Sequence, residues 1–313
     1  MVELEVIFSL MNKTVVKVCA FAPRGKENAA ITRPIGSNSA AKTQFVAGQL
    51  AITFMPNLHW TFPLANWSSW PVTGGRAPDP VPPNIDFIAP MLRRRLSKLS
   101  RMAVKVAHDC AREAPTVRVV LASRHGELRR STEIINDLVS GRPVSPAAFS
   151  LSVLNAMAGV FGIARQDRAP ATAIAAGDET LGYALVEAYA QYASDASTPI
   201  LLVFVDEIPD ACYGPMHEGD AAPGALALLF DARAAATDVL ECTVEPNDRN
   251  ADPTAATSAD PVANTSAHAS ATSGTPMFAS QCEAMQHSLM VRGAASWRNA
   301  ANTWTWRCNA SAS

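Results

Sequence analysis

Residues 171–207 read ATAIAAGDETLGYALVEAYAQYASDASTPILLVFVDE. The run ATAIAA (171–176) predicts a short strand, Gly177-Asp178 a sharp turn, Glu179–Tyr192 a helix, and PILLVFVDE (199–207) a second strand. That second strand is apolar at almost every position, as expected of a strand covered on both faces. Strand, helix and strand in this order imply α/β layering with a buried sheet. Working outward, TVRVVLASR (116–124) is β-branched and predicts another strand, and GALALLF (224–230) a fourth. Between them lie two helical stretches, Glu127–Ser140 and Ser145–Ala164, punctuated by Gly141 and Pro143. Upstream, Leu92, Leu96, Leu99, Ala103, Val106 and Cys110 recur at steps of three and four and predict one amphipathic helix over 91–112, stopped by Pro115.

The chain has 313 residues, 48% of them hydrophobic and 17% charged, which is enough apolar material for a sizeable core. Its 26 Lys and Arg nearly balance 28 Asp and Glu, so the whole molecule is not a basic surface for nucleic acid. No uninterrupted apolar run reaches the roughly 18 residues a membrane span requires, and the first twenty residues lack the order of a secretory leader. The expectation is a cytoplasmic protein without a membrane span. Six scattered cysteines and six scattered histidines show neither metal-ligand nor disulfide-framework spacing, so neither a metal nor a cofactor is expected.

Both ends differ from the middle. Residues 1–47 show no sustained period, and ADPTAATSADPVANTSAHASATSGTP (251–276) has Val262 as its sole large aliphatic residue, too little to offset the entropy of ordering. The reading is a folded domain over 48–232, flanked by a poorly structured segment 1–47 and a low-complexity tail 233–313. Within the domain, GQLAITF (48–54) starts a strand, HWTFPLANWSSWP (59–71) reads as an aromatic loop, and Pro78–Pro83 breaks regular structure.

Three groups bear on chemistry. Arg93, Arg94, Arg95, Lys98, Arg101 and Lys105 form a basic cluster. It suits an acidic protein partner, or a solvated helix face, better than nucleic acid, because no second basic element or stacking aromatics accompany it. SRHGEL (123–128) follows a strand, where α/β folds place functional groups. His125 and Glu127 there could serve as acid and base, although Glu127 equally suits the first turn of a helix. The junction AAGDETLG (175–182) is a strand–turn–helix elbow. Such an elbow presents a nucleophile beside helix N–H groups, yet here it carries Asp178 and Glu179 and no Ser or Cys.

WSSW (67–70), FIAPMLRRRLSKLSRMAVKVA (87–107), VVLASRHGELRRSTEII (119–135), SPAAFSLSVLNAMAGVFGIARQDRAPATAIAAGDETLGYALVEA (145–188), ILLVFVDE (200–207) and ALALLF (225–230) together resemble the ketosynthase-like family of β-ketoacyl synthase chain length factors. The resemblance implies the N-terminal half of a thiolase-like layered fold. Asn155, Ala158 and Gly159 match the family's Asn-x-x-Ala-Gly helix, Ala169-Pro170 stands where Gly-Pro is usual, and the position of the acyl-accepting cysteine falls on Asp178. A carboxylate cannot replace a thiolate in that role, and nothing after Phe230 resembles the half that carries the family's histidines.

The resemblance therefore implies a catalytically silent subunit that pairs with an active ketosynthase in fatty-acid-like or aryl-polyene polyketide biosynthesis, served by an acyl carrier protein. On that reading Phe149, Asn155, Met157, Gly159, Pro170, Ala176, Gly177 and Asp178 are candidates for partner contact or for facing a growing chain. Arg93, Arg94, Arg95, Lys98 and Arg101 are candidates for carrier docking. A contrasting reading is a stand-alone acyl-transfer or hydrolytic enzyme using His125 with Asp178 or Glu179.

Overall fold

The computed structural model describes residues 57–71, 82–213, 224–234, 238–247 and 275–310. Its centre is one eight-stranded mixed sheet. The strands are β1 (Leu58–Trp70), β2 (Arg118–Ala122), β3 (Ala171–Ile174), β4 (Ile200–Asp206), β5 (Gly224–Phe230), β6 (Asp238–Pro246), β7 (Ala294–Arg298) and β8 (Asn302–Ala310). They lie in the order β3-β2-β4-β5-β1-β6-β8-β7. Only β2 with β3 and β2 with β4 are parallel; every other neighbouring pair is antiparallel.

The helices are α1 (Pro90–Arg93), α2 (Lys98–Cys110), α3 (Leu128–Val139), α4 (Pro146–Ser150), α5 (Ala156–Arg165), α6 (Thr180–Ser194) and α7 (Gln281–Val291). They sandwich the sheet. Because side chains alternate along a strand, Ile200 and Leu202 of β4 enter one core layer with α6 and α7, while Leu201, Val203 and Val205 enter the other with α2 and α5. Two covered faces explain why β4 and β5 read as unbroken apolar runs.

Four expectations need correction. The helix over 91–112 is two helices, because Ser97 caps a new start: its hydroxyl accepts from the Ser100 N–H at 3.0 Å. The stretch over 145–164 likewise divides into α4 and α5. The aromatic loop is strand β1, in which Trp60, Phe62 and Leu64 alternate inward, and Pro63 is accommodated next to a register shift between Leu64 and Asn66. The strand expected at 48–54 lies outside the described residues.

The largest correction concerns the tail. Residues 238–246, 281–291, 294–298 and 302–310 form β6, α7, β7 and β8: three further strands of the same sheet and a helix packed against the last two. On β8, Trp304, Trp306 and Cys308 point inward while Thr303, Thr305 and Arg307 alternate away. This period of two is what a half-buried strand requires, and it brings the two indoles into a core shared with β1 and α6.

Candidate functional site

The elbow lies at the C-terminal end of β3, one edge of the sheet. Gly177 has φ +60°, a value glycine adopts without strain, and Gly177–Glu179 form a single 3-10 turn into α6. Thr180 closes the turn: its hydroxyl donates to the Gly177 carbonyl at 2.7 Å and accepts from the Ala176 N–H at 3.0 Å.

Both elbow carboxylates are engaged. Asp178 Oδ1 lies 2.7 Å from the Arg124 guanidinium, and its side chain stays 45% exposed. Glu179 turns back into the fold, accepting from Asn302 Nδ2 at 2.6 Å and from Trp304 Nε1 at 3.0 Å. As acidic groups at the head of the 15-residue α6 they also favour its positive end.

Behind the elbow, Asp206 at the end of β4 gathers the SRHGEL turn. It accepts from Ser123 Oγ at 2.9 Å, the Arg124 N–H at 2.9 Å and the His125 N–H at 3.0 Å. Burial pushes the Asp206 carboxyl above its ordinary range, and those donors and the His125 charge offset part of that. Asp206 thus fixes Arg124, and Arg124 holds Asp178.

Glu127 takes the structural alternative. It is buried, accepts from Ser97 Oγ at 2.7 Å and Ser100 Oγ at 2.6 Å, and pairs with Arg130 at 3.3 Å. His125 is held through its backbone to Asp206, whereas Asp178 pairs with Arg124 and Glu179 bonds to β8.

No described cysteine sits at the elbow. Burial raises the thiols of Cys110 and Cys242 well above their ordinary value, that of Cys282 to about 12 and that of Cys308 to about 11, so these sulfurs stay protonated and poorly nucleophilic. Among the described residues no group of three or more His, Cys, Asp or Glu is placed to hold a metal ion, and no helix is long and apolar enough to cross a membrane.

The other candidates divide. Met157 is 2% exposed and packs in the core with Val160 and Phe161. Phe149 is 63% exposed. Asn155 occupies the start of α5 without a side-chain cap bond, and a Cβ on Gly159 would meet nothing within 4 Å. Exposed Pro170 and Gly177 bracket β3, with half-buried Ala176 beside the turn. Of the basic cluster, Arg93 pairs with Asp86, and Arg101 donates to the carbonyls of Leu96 and Arg93; Arg94, Arg95 and Lys98 are exposed. Reading the sequence alone missed Arg124, Asp206, Asn302 and Trp304. Asp206 left a signal, a carboxylate closing an otherwise apolar strand; the others become visible only when distant strands meet.

The family model for the β-ketoacyl synthase N-terminal domain matches residues 67–307. The chain belongs to this family. The match runs through β6, α7 and β7 into β8, well beyond the limit at 232 expected from the resemblance. No curated protein matches the chain, whereas 109 chains of solved structures do. One comes from the complex of a ketosynthase with its chain length factor from Xenorhabdus doucetiae. It is 22% identical with a TM-score of 0.59, over 79% of this chain and 99% of that one. That likeness shows a thiolase-like ketosynthase fold. The ishigamide ketosynthase/chain length factor is 19% identical with a TM-score of 0.38, over 50% of this chain and 51% of its own. A β-ketoacyl synthase from Burkholderia phymatum is 15% identical with a TM-score of 0.44, over 56% and 53%. This β-ketoacyl synthase domain therefore spans nearly all of the first chain and about half of the other two.

Proposed function

We propose that this chain is a non-catalytic member of its family that pairs with an active β-ketoacyl synthase and shapes the acyl chain the pair builds. The observation that carries the reading is the elbow itself. An acyl-accepting thiol is replaced by Asp178, whose carboxylate is tied to Arg124 at 2.7 Å. Acylation of a carboxylate would give an anhydride that water opens, not a thioester fit for condensation.

The partner surface in this reading is the β3 edge with the face of α4 and α5 beside it. β3 pairs only with β2 among the described strands, and an unpaired edge invites a strand from another chain. α5 leads directly into β3, and Phe149, Val153 and Ile163 around it are 63%, 48% and 71% exposed. Exposed apolar side chains of this size suit an interaction surface. Phe149 is the side chain we assign to the growing acyl chain; Met157, committed to the core, sets the seat of α5 instead. The carrier protein in this reading docks on Arg94, Arg95 and Lys98, whose exposed cations suit an acidic partner. The product class is fatty-acid-like or aryl-polyene polyketide chains, made in the cytoplasm.

Co-expression with a type II ketosynthase from the same source, followed by light scattering and a condensation assay, tests the reading. The expected outcome is a one-to-one complex whose activity requires this chain and survives Asp178→Ala. Loss of condensation in Asp178→Ala within an intact complex, or failure of the two chains to associate, would overturn it.

A further inference from the structure

A cavity of about 310 Å³ opens beside the start of α2. Among the described residues it is lined by Trp70, Pro82, Pro83, Lys98, Arg101 and Met102. The last three stand at i, i+3 and i+4 on one helix and so share a face. Met102 is 1% exposed and belongs to the core layer under α2, and half-buried Trp70, the last residue of β1, packs against the same layer. Indole, pyrrolidine and thioether walls offer apolar surface to a ring or a short alkyl chain. The volume lies at the small end of the range for ligand cavities, about 300–1,000 Å³.

No carboxylate lines the cavity among the described residues, and its charge comes from Lys98 and Arg101. Arg101 is held in place: Nε donates to the Leu96 carbonyl at 3.2 Å and Nη2 to the Arg93 carbonyl at 2.7 Å. Its Nη1 makes no bond among the described residues. A guanidinium fixed before a ligand arrives loses little freedom on binding it. Lys98, the first residue of α2, is shared: burial raises the nearby Glu207 carboxyl, and the Lys98 charge offsets part of that. The N-terminus of the 13-residue α2 adds positive potential at the same end. An apolar cavity with one fixed cation at its side selects an apolar body bearing one negative charge, and a planar carboxylate matches a guanidinium.

We propose that this cavity binds a small monocarboxylate, an aryl or short alkyl acid, with its apolar body among Trp70, Pro82, Pro83 and Met102 and its carboxylate on Arg101. The strands β2, β4 and β5 lie between β1 and β3, so the site is remote from the elbow, and the inference stands apart from the ketosynthase pairing proposed above. It shares Lys98 with the surface assigned there to the carrier protein, so a bound acid and a docked carrier draw on one cation.

Fluorine NMR titration of the full chain with para-fluorobenzoate tests this, with para-fluorobenzyl alcohol as the neutral analogue and the folding of each variant checked by circular dichroism. The expected result is saturable one-to-one binding of the acid with a Kd below about 1 mM, and about tenfold weaker binding of the alcohol. Arg101→Gln is expected to weaken the acid about tenfold and leave the alcohol unchanged, Arg101→Lys to restore part of the loss, and Trp70→Ala to weaken both probes. No saturation by about 10 mM acid, equal affinity for acid and alcohol, or binding indifferent to both Arg101→Gln and Trp70→Ala would overturn the inference. The comparison of acid with alcohol needs only the unaltered chain, so it decides the matter even where a variant does not fold.

Discussion

Gly182 and Trp304 touch without any side chain between them. A Cβ built on Gly182 would lie 2.7 Å from Cε3, Cζ3 and Cη2 of the indole, so the first turn of α6 is pressed onto β8. The same indole donates to Glu179, and the Gly182 N–H donates to Gln281 Oε1 at 3.0 Å. The elbow is thus fastened to β8 and α7, 99 to 125 residues further along the chain. Gly182→Ala should destabilise the fold by about 1–3 kcal/mol, the usual cost of overpacking a filled site. Equilibrium denaturation reads this directly, and an unchanged midpoint would mean that the contact yields freely.

Ending the chain at Phe230 removes β6, β7, β8 and α7. β1 would lose the strand it pairs with from Leu58 to Leu64, and its inward Trp60, Phe62 and Leu64 would lose their cover. The expected outcome is an insoluble or molten fragment, judged by soluble yield and near-ultraviolet circular dichroism. A fragment that unfolds cooperatively would show that the two halves of the sheet are independent.

Glu127→Ala leaves the hydroxyls of Ser97 and Ser100 and the Arg130 guanidinium without their shared acceptor. Removing one member of a buried ion pair costs about 3 kcal/mol or more. Glu127→Gln keeps an acceptor oxygen and is expected to cost about 1 kcal/mol. Thermal unfolding of the two variants distinguishes this anchoring role from an acid–base role, which would leave stability unchanged.

Asp167 supplies a pH dependence. Desolvation alone would raise its carboxyl, but donation from the Ala169 N–H, the Thr116 hydroxyl and the Val117 N–H, with Arg165 nearby, outweighs it and holds the carboxyl below its ordinary value. A depressed carboxyl stabilises the fold above the unfolded-state value, about pH 4, and that contribution fades as pH falls through the lower folded value. Asp167→Asn should therefore lower stability by about 1 kcal/mol at pH 7, with the gap narrowing toward pH 3. Urea unfolding at the two pH values checks it; a gap that widens in acid contradicts the assignment.

The thiols predict a labelling pattern. With Cys110, Cys242 and Cys308 buried and Cys282 raised to about 12, a thiol reagent at pH 8 should modify exposed Cys212 in the native chain and spare these four until denaturant is added. Peptide mass spectrometry resolves the sites. Rapid native modification of Cys282 would show that α7 opens.

The α/β core around β2, β3, β4 and β5 was legible from residue order, because each element declares itself within a few neighbouring positions. β4 is apolar throughout as it is covered on both faces, and α6 follows a turn that Gly177 permits. The elbow's lack of a thiol was legible too, since residue identity alone settles it. β1 and β8 were not read as strands. Their alternation is carried by Trp60, Phe62, Trp304 and Trp306 amid proline, serine, threonine and asparagine, and a low-complexity stretch separates β6 from α7. Nothing local says that 302–310 pairs with 238–246; that follows only when indoles from both ends of the chain need one shared core.

Asp178 shows the same division at the site. That a carboxylate stands at the elbow is written in the residue order, and it excludes a thioester at that position because bond chemistry depends on atom type. That Arg124 holds this carboxylate, and that Asp206 holds the Arg124 backbone, follows from the folded arrangement. The fold likewise commits Glu179 to Asn302 and Trp304 of β8, because these contacts join segments that are distant in sequence and adjacent only in the sheet.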